Sequence, residues 1–366
     1  MNEISVSEQI SELSHKQILK IHKDPSKSAE IAELVYVTDQ QTGISREKKG
    51  KTFHYFYKDQ PFNDPLELER IKKLAIPPAW EKVWICKQKN GHIQATGIDA
   101  KGRKQYRYHA FWQILRNQTK FHRLYAFGNI LPTLRLKLEE DLAKKEVCVE
   151  RVIATVISVM ERTYIRVGSE DYEKMYGSYG LTTLKDSHVK ITGDTINFTF
   201  KGKKGILQNV TLKNRRLANM VQKCREIPGR ELFQYYDAEG NRQSIDSGMV
   251  NRYIKEATGS DFSAKDFRTW AGTLNIIRAF KNIGFADTES ELKKNVVAAL
   301  DEVSKQLGNT RTVCKKYYVH PGIIKLYEEQ SLNKYLNELD KIEEPDHLSG
   351  LTGDERVLIK ILKKMI

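Results

Sequence analysis

The spacing of apolar residues changes near Phe111, and no single regular architecture accommodates both sides of that change. From Tyr36 to Tyr108 the pattern is that of strands. Phe53, Tyr55 and Tyr57 alternate with His54 and Phe56, and Val83-Trp84-Ile85 is a short apolar run. Residues 92–96 and 104–108 flank Asp99-Ala100-Lys101-Gly102, which reads as a hairpin connection, and Pro77-Pro78 interrupts any helix. Beyond Phe111, residues 124–144 and 147–165 carry apolar side chains three and four apart with long charged ones between, as packed helices do. A strand insert follows at 189–191, 196–200 and 206–212, and helical spacing resumes at 214–225, 249–258, 264–280 and 289–306. The expected fold class is α+β: a polar arm or short helix over residues 1–33, a small β-rich domain over 34–112, and a larger, mainly α-helical domain over 113–366 with a small β-hairpin sheet insert. In the tail, Val357, Leu358, Ile361, Leu362 and Met365 share one helical stripe, which reads as a packing face.

Composition narrows the partner. The 366 residues suit two domains, and a 40% hydrophobic content with 13 Phe and 17 Tyr builds ordinary cores. A net charge of +14 makes a polyanion the leading partner, although charge alone does not decide it. Cys86, Cys148, Cys224 and Cys314 are far apart without a CxxC pair, so neither a zinc site nor a disulfide framework is expected. The N-terminal residues lack the apolar segment of a secretory signal, and no stretch reaches the ~18 apolar residues of a membrane helix. A cytoplasmic, nucleoid-associated protein without membrane attachment is expected. There is no GxxxxGK[ST] loop, no HExxH and no acidic metal cluster, so no cofactor and no metal is expected.

Chemistry-bearing residues recur along the chain. Lys101, Arg103, Lys104 and Arg107 crowd the first hairpin, with Gln105, Tyr106 and Tyr108 interleaved. Alternation sets Tyr106 and Tyr108 on one strand face and Arg107 on the other, a surface suited to phosphates and base edges; a solvated edge strand is the plainer reading. Arg166 closes the helix over 147–165, before Val167-Gly168; an arginine at a helix end is usually surface charge or a partner of the helix dipole. Lys203 sits at a hairpin tip, Lys201-Gly202-Lys203-Lys204-Gly205. Beside arginines, such a lysine gives up its proton more readily and suits a general acid. The same tip also reads as a solubilising turn or, weakly, as a GxxG nucleic-acid loop. Arg268 lies on the 264–280 helix three residues from Lys265, on a face opposed to Trp270 and Leu274, and its guanidinium matches a phosphate's oxygens. Tyr317 and Tyr318 point about 100° apart on a helix, so one of them faces any given site. Asn309 supplies a neutral hydrogen-bond donor. Two arginines, a lysine and a tyrosine suffice to move a phosphodiester between a sugar hydroxyl and a phenol.

Taken in order, these segments resemble the type IB DNA topoisomerases, in particular the small poxvirus-like form found in bacteria. The resemblance runs from about Tyr36 to the C-terminus. It includes Glu69-Arg70-Ile71, Ile76-Pro77-Pro78-Ala79-Trp80, Gly91-His92-Ile93-Gln94-Ala95-Thr96-Gly97 and Gly102-Arg103-Lys104-Gln105-Tyr106, together with the segments carrying Arg166, Lys203, Arg268 and Tyr318. By this resemblance Arg166 and Arg268 take the place of the paired phosphate-binding arginines. Lys203 falls on the lysine that protonates the leaving 5′ oxygen, and Tyr318 falls on the nucleophile. Gly168 and Tyr172 match positions used near the site, and Tyr106 and Tyr108 fall on the DNA-contacting strand. Many relatives carry histidine where Asn309 stands, while the bacterial branch has asparagine. The resemblance implies a monomeric clamp on duplex DNA that relaxes supercoils through a 3′-phosphotyrosyl intermediate, without ATP or metal. A tyrosine recombinase is the nearest rival; those enzymes usually carry histidine where Lys265 stands, and a helical arm rather than a β-rich front. A non-enzymatic DNA-binding protein would leave the ordered Arg–Lys–Arg–Tyr set unexplained.

Overall fold

The computed structural model describes residues 13–14, 17–18, 21, 24–50, 52–100, 102–339 and 350–366, leaving aside the side chain at 118. Two compact units result, Met1–Arg123 together with Ile366, and Leu124–Met365, and the division falls within one helix.

In the first unit, helix α1 (Pro25–Ile31) precedes strands β1 (Ile44–Lys49), β2 (Thr52–Tyr57) and β3 (Gln60–Pro61). Helix α2 (Pro65–Lys73) leads into β4 (Glu81–Ile85), β5 (Ile93–Ile98) and β6 (Lys104–Tyr108), after which helix α3 (Ala110–Leu142) crosses the division. All six strands join one antiparallel sheet in the order β3-β2-β1-β4-β5-β6. Its register aligns Ile44 with Tyr57 and Ile85, and Ile85 with Ala95. That row forms a buried cluster with Val83 and with Ile71 of α2. The stretch whose pattern favours strands also contains a helix, started by Asp64 accepting from the N–H groups of Leu66 and Glu67 with Pro65 at the first helical position. Asp24 and Pro25 do the same for α1, and Ile18, Ala29, Ala32 and Leu34 are buried with Trp112 and Leu115.

In the second unit, the helical spacing read over 124–144 belongs to α3, which starts earlier, at Ala110. Helix α4 (Val149–Thr163) is buried from Val152 to Met160. Helix α5 (Glu170–Tyr176) precedes a three-stranded antiparallel sheet, β7 (Val189–Thr192), β8 (Thr195–Lys201) and β9 (Leu207–Lys213). Helix α6 (Arg215–Arg225), a hairpin of β10 (Gln234–Tyr236) and β11 (Arg242–Ser244), and helices α7 (Ser247–Thr258), α8 (Ala264–Ile283), α9 (Glu289–Gln306), α10 (Arg311–Tyr317), α11 (Pro321–Glu328), α12 (Asn333–Leu339) and α13 (Gly353–Lys364) follow.

The core gathers on α8, where Phe267, Trp270, Leu274, Ile277 and Phe280 are buried, and Phe127 meets Phe262, Phe267 and Trp270 edge to face. The tail stripe does pack: Val357, Leu358, Ile361 and Leu362 of α13 are buried. Glu355 of the same helix pairs with Arg135 at 2.8 Å and accepts from the Trp270 indole at 3.1 Å, while Arg135 also pairs with Glu161 at 2.6 Å. Arg162 lies 3.8 Å from Glu161 as well, so two guanidiniums balance the two carboxylates in that part of the core.

Candidate active site

Each candidate side chain is held by a specific local device. Helix α4 stops at Thr163 because Tyr164 turns left-handed at φ +57°, returning its N–H to the Met160 carbonyl. Arg166 therefore stands three residues past Thr163, on a segment without helix or strand, rather than closing the helix. That segment is fastened by Leu181 and Thr182, whose N–H groups donate to the Arg166 and Val167 carbonyls at 2.9 and 2.7 Å. Gly168 and Gly180 make the approach possible, since a Cβ on Gly180 would lie 2.5 Å from the Gly168 Cα.

Arg268, on the second turn of α8, is 6% exposed. It is not the outward-facing side chain that helical spacing suggests. Its Nη2 donates to the Leu307 carbonyl at 2.7 Å and its Nη1 to the Tyr164 carbonyl, so two main-chain oxygens hold the fork. Its Nε is buried without a partner among the described residues. Burial, reinforced by the nearby Arg166 charge, pulls this guanidinium down to about 10. Arg166 is lowered as well, chiefly by burial. The Arg166 Nη2 donates to the Asn309 Oδ1, which leaves the Asn309 Nδ2 buried with no partner among the described residues.

Tyr318 sits immediately past helix α10, its N–H bonded to the Cys314 carbonyl at 2.9 Å. The ring lies 5.1 Å from the Arg268 guanidinium carbon. Burial pushes the phenol up, but the charges of Arg268, Arg166 and Lys203 more than reverse this and hold it below the ordinary tyrosine range. Tyr317, by contrast, is 38% exposed. Lys203 occupies the exposed turn between β8 and β9, with its Nζ 5.6 Å from the centre of the Tyr172 ring.

Arg166, Lys203, Arg268 and Tyr318 line one open cavity of about 360 Å³, together with Gly168, Tyr172 and Lys265. Asn309 joins through Arg166. Among the described residues no group of three or more His, Cys, Asp or Glu is placed to hold a metal ion. What the cavity offers is a phenol, an ammonium and two guanidiniums, with the buried Asn309 amide behind Arg166, the equipment for an anionic phosphorus centre attacked by oxygen.

Residues 103–344 match the family model for the eukaryotic DNA topoisomerase I catalytic core, and residues 52–99 match that for the bacterial DNA topoisomerase IB N-terminal domain. The DNA topoisomerase 1B of Acanthamoeba polyphaga mimivirus is 37% identical over 296 residues, covering 78% of this chain and 88% of the viral protein. The DNA topoisomerase 1B of vaccinia virus (strain Copenhagen) is 23% identical over 238 residues, 64% of this chain and 73% of that protein. The chain belongs to the type IB DNA topoisomerase family. It is thus a DNA-binding isomerase with a bacterial-type N-terminal domain.

The remaining residues singled out in this topoisomerase lie on the first unit. Lys101 falls outside the described residues. Arg103 and Gln105 both donate to Asp99 within the hairpin, at 2.8 and 3.0 Å, and Lys104 pairs with Asp39 at 2.6 Å. Arg107 donates to the Ala75 carbonyl at 2.7 Å from the other face of the strand. Tyr106 and Tyr108 are exposed and stacked, 5.7 Å between ring centres. The phenol pair faces outward, whereas Arg103, Lys104 and Arg107 are engaged with their own chain. No helix among the described residues is long and apolar enough to cross a membrane.

Sequence reasoning missed the seat of the tyrosine. Thr273 of α8 donates through Oγ1 to the Tyr318 carbonyl at 3.2 Å and accepts from the His320 N–H at 3.1 Å. Beside it, a Cβ on Gly272 would lie 2.6 Å from the Tyr318 carbonyl oxygen and 2.8 Å from its Cβ. The only signal was a glycine inside a helix, where it costs about 1 kcal/mol against alanine unless close approach requires it. Gly272→Ala should displace the Tyr318 backbone and slow strand cleavage by about 10- to 100-fold, since a misplacement near 1 Å costs about 100-fold. Single-turnover cleavage would measure it; an unchanged rate would show that the seat tolerates the methyl group.

Proposed function

We propose that this topoisomerase relaxes supercoiled duplex DNA by transient cleavage of one strand, with Tyr318 as nucleophile, acting as a single chain clamped on the duplex. The observation that supports this most is the convergence of Tyr318 with Arg166, Arg268 and Lys203 on one cavity. As the Tyr318 Oη–phosphorus bond forms, the phenol proton passes to solvent. The P–O5′ bond breaks with its electron pair on oxygen, and Lys203 supplies the proton that makes a free 5′-hydroxyl. Arg166, Arg268 and the Asn309 amide donate to the nonbridging oxygens, where negative charge accumulates in the pentacoordinate transition state. The guanidinium charges also favour the phenolate.

The product is a 3′-phosphotyrosyl ester, and the free strand rotates before the hydroxyl attacks to reseal it. Ester is exchanged for ester, so the cycle needs no nucleotide. In this reading Lys265, Tyr172 and Gly168 approach the DNA around the cavity. The exposed Tyr106 and Tyr108 contact it on the first unit, with Lys101, Arg103, Lys104, Gln105 and Arg107 on the same hairpin.

The test is covalent. Reactions with a labelled duplex in EDTA, without ATP, are stopped by denaturation and digested with protease. The peptide joined to the DNA 3′ end should carry the label on Tyr318. A peptide joined to a 5′ end, attachment at Tyr317 or no attached peptide would overturn the assignment.

A further inference from the structure

The turn that carries Lys203 has little packing of its own. Residues 203–207 are all exposed, and Lys204 adopts a left-handed φ of +65°. Something else has to fix the turn if an ammonium at its start is to meet one particular oxygen. We infer that Gln208 is a positioning residue that braces the Lys203 turn against the loop carrying Asn309; the inference rests on the reading of Lys203 as proton donor.

The geometry is that of a strut between two glycines. Gln208 lies at the start of β9, paired with Phe200 of β8, and is half-buried. At its root it touches the turn: a Cβ on the buried Gly202, next to Lys203, would lie 3.0 Å from the Gln208 Cγ. At its tip the amide lies against the other loop. A Cβ on Gly308 would lie 2.6 Å from the Gln208 Oε1 and 2.9 Å from its Nε2. Gly308 is left-handed at φ +58° and directly precedes Asn309, whose Oδ1 accepts from Arg166. One side chain therefore spans from the base of the lysine turn to the residue next to the amide that holds an arginine. A methyl group at 308 would push the Gln208 amide aside, and one at 202 would need its Cγ to give by a few tenths of an ångström, so both glycines let the side chain lie close.

The Asn309 loop is fixed independently, with the Asn309 N–H on the Ser304 carbonyl at 2.9 Å and the Gly308 N–H on the Lys305 carbonyl at 3.1 Å, so the brace acts on the exposed Lys203 turn and leaves the phosphorus chemistry of Tyr318 alone. Its loss should impair proton delivery, a step that contributes about 10²–10⁴-fold, because transfer requires the donor within hydrogen-bond reach. The experiment compares single-turnover cleavage of an ordinary strand with that of a strand bearing sulfur in place of the bridging 5′ oxygen, a leaving group that hardly needs a proton. Gln208→Ala should slow the ordinary strand by at least about tenfold, within the range for a misplaced proton donor, and leave the sulfur-containing strand nearly unaffected. Gln208→Met, which keeps length and bulk, should restore most of the ordinary rate.

The sulfur strand also serves as the folding control, because an unfolded variant would cleave neither substrate. Equal slowing on both strands, or no slowing on either, overturns the inference. Lys203→Ala is run in parallel to separate the two claims. If it too slows both strands equally, the proton-donor reading fails and the brace falls with it. If it is selective while Gln208→Ala is not, only the brace is lost.

Discussion

Tyr318→Phe is expected to abolish relaxation of supercoiled plasmid altogether while leaving DNA binding intact. The substitution removes one oxygen and nothing else that the structure uses. The ring keeps its place near Arg268, and the backbone keeps its bonds to Cys314 and Thr273. Without the phenol oxygen no ester can form, so the loss should be complete rather than partial. Neighbouring Tyr317 is exposed while Tyr318 lines the cavity, which argues against rescue by the adjacent phenol. Relaxation in EDTA without ATP, read on a gel beside a binding titration, measures both halves of the prediction. Relaxation surviving at even a slow, reproducible rate would assign the attack to another group. A recombinase would instead require paired specific sites, and a passive binder would change gel mobility only.

Arg268→Lys should reduce the cleavage rate by about 10²–10³-fold, the range seen when one preorganised donor to a developing oxyanion is removed. Charge is conserved in this variant, so the effect isolates the fork. The ammonium cannot occupy both the Tyr164 and Leu307 carbonyls and still present a donor to the phosphate. Affinity for uncleaved DNA, and its salt dependence, should change little, because phosphate charge is met by the whole basic surface. A rate within a few-fold of the native enzyme would mean that Arg268 serves the fold rather than the reaction. An unfolding midpoint distinguishes a damaged core from a damaged site, since a buried carbonyl left without a donor costs about 1–3 kcal/mol.

Much of this architecture was legible before any coordinates. The change of period near Phe111 separates the β-rich sheet from the helices, and the insert strands fall within a residue or two of β7, β8 and β9. Helix α9 is bounded as the spacing suggests. Helix α2 was missed although Asp64-Pro65 is a capping signal, because aromatic alternation on either side suggested continuous strand. The end of α4 was misplaced by two residues, since a tyrosine in the left-handed region leaves no mark in a sequence. The residues proposed for the site are read from order and type. Their environment could not: nothing in Lys265-Asp266-Phe267-Arg268 announces that Arg268 is buried, because the oxygens receiving it belong to the main chain of distant residues. The same limit hid Gly272, Thr273 and Gln208, whose importance lies in what they approach.

The seat of Arg268 has a consequence for how this protein tolerates change. A carboxylate anchor is erased by a single codon, but a peptide oxygen survives every replacement of the side chain that accompanies it. Any residue that keeps the path of the chain at 164 or 307 keeps that carbonyl, within what the left-handed φ of position 164 and the burial of position 307 allow. Heredity can remove the guanidinium itself, yet it has no direct means of deleting the hold upon it.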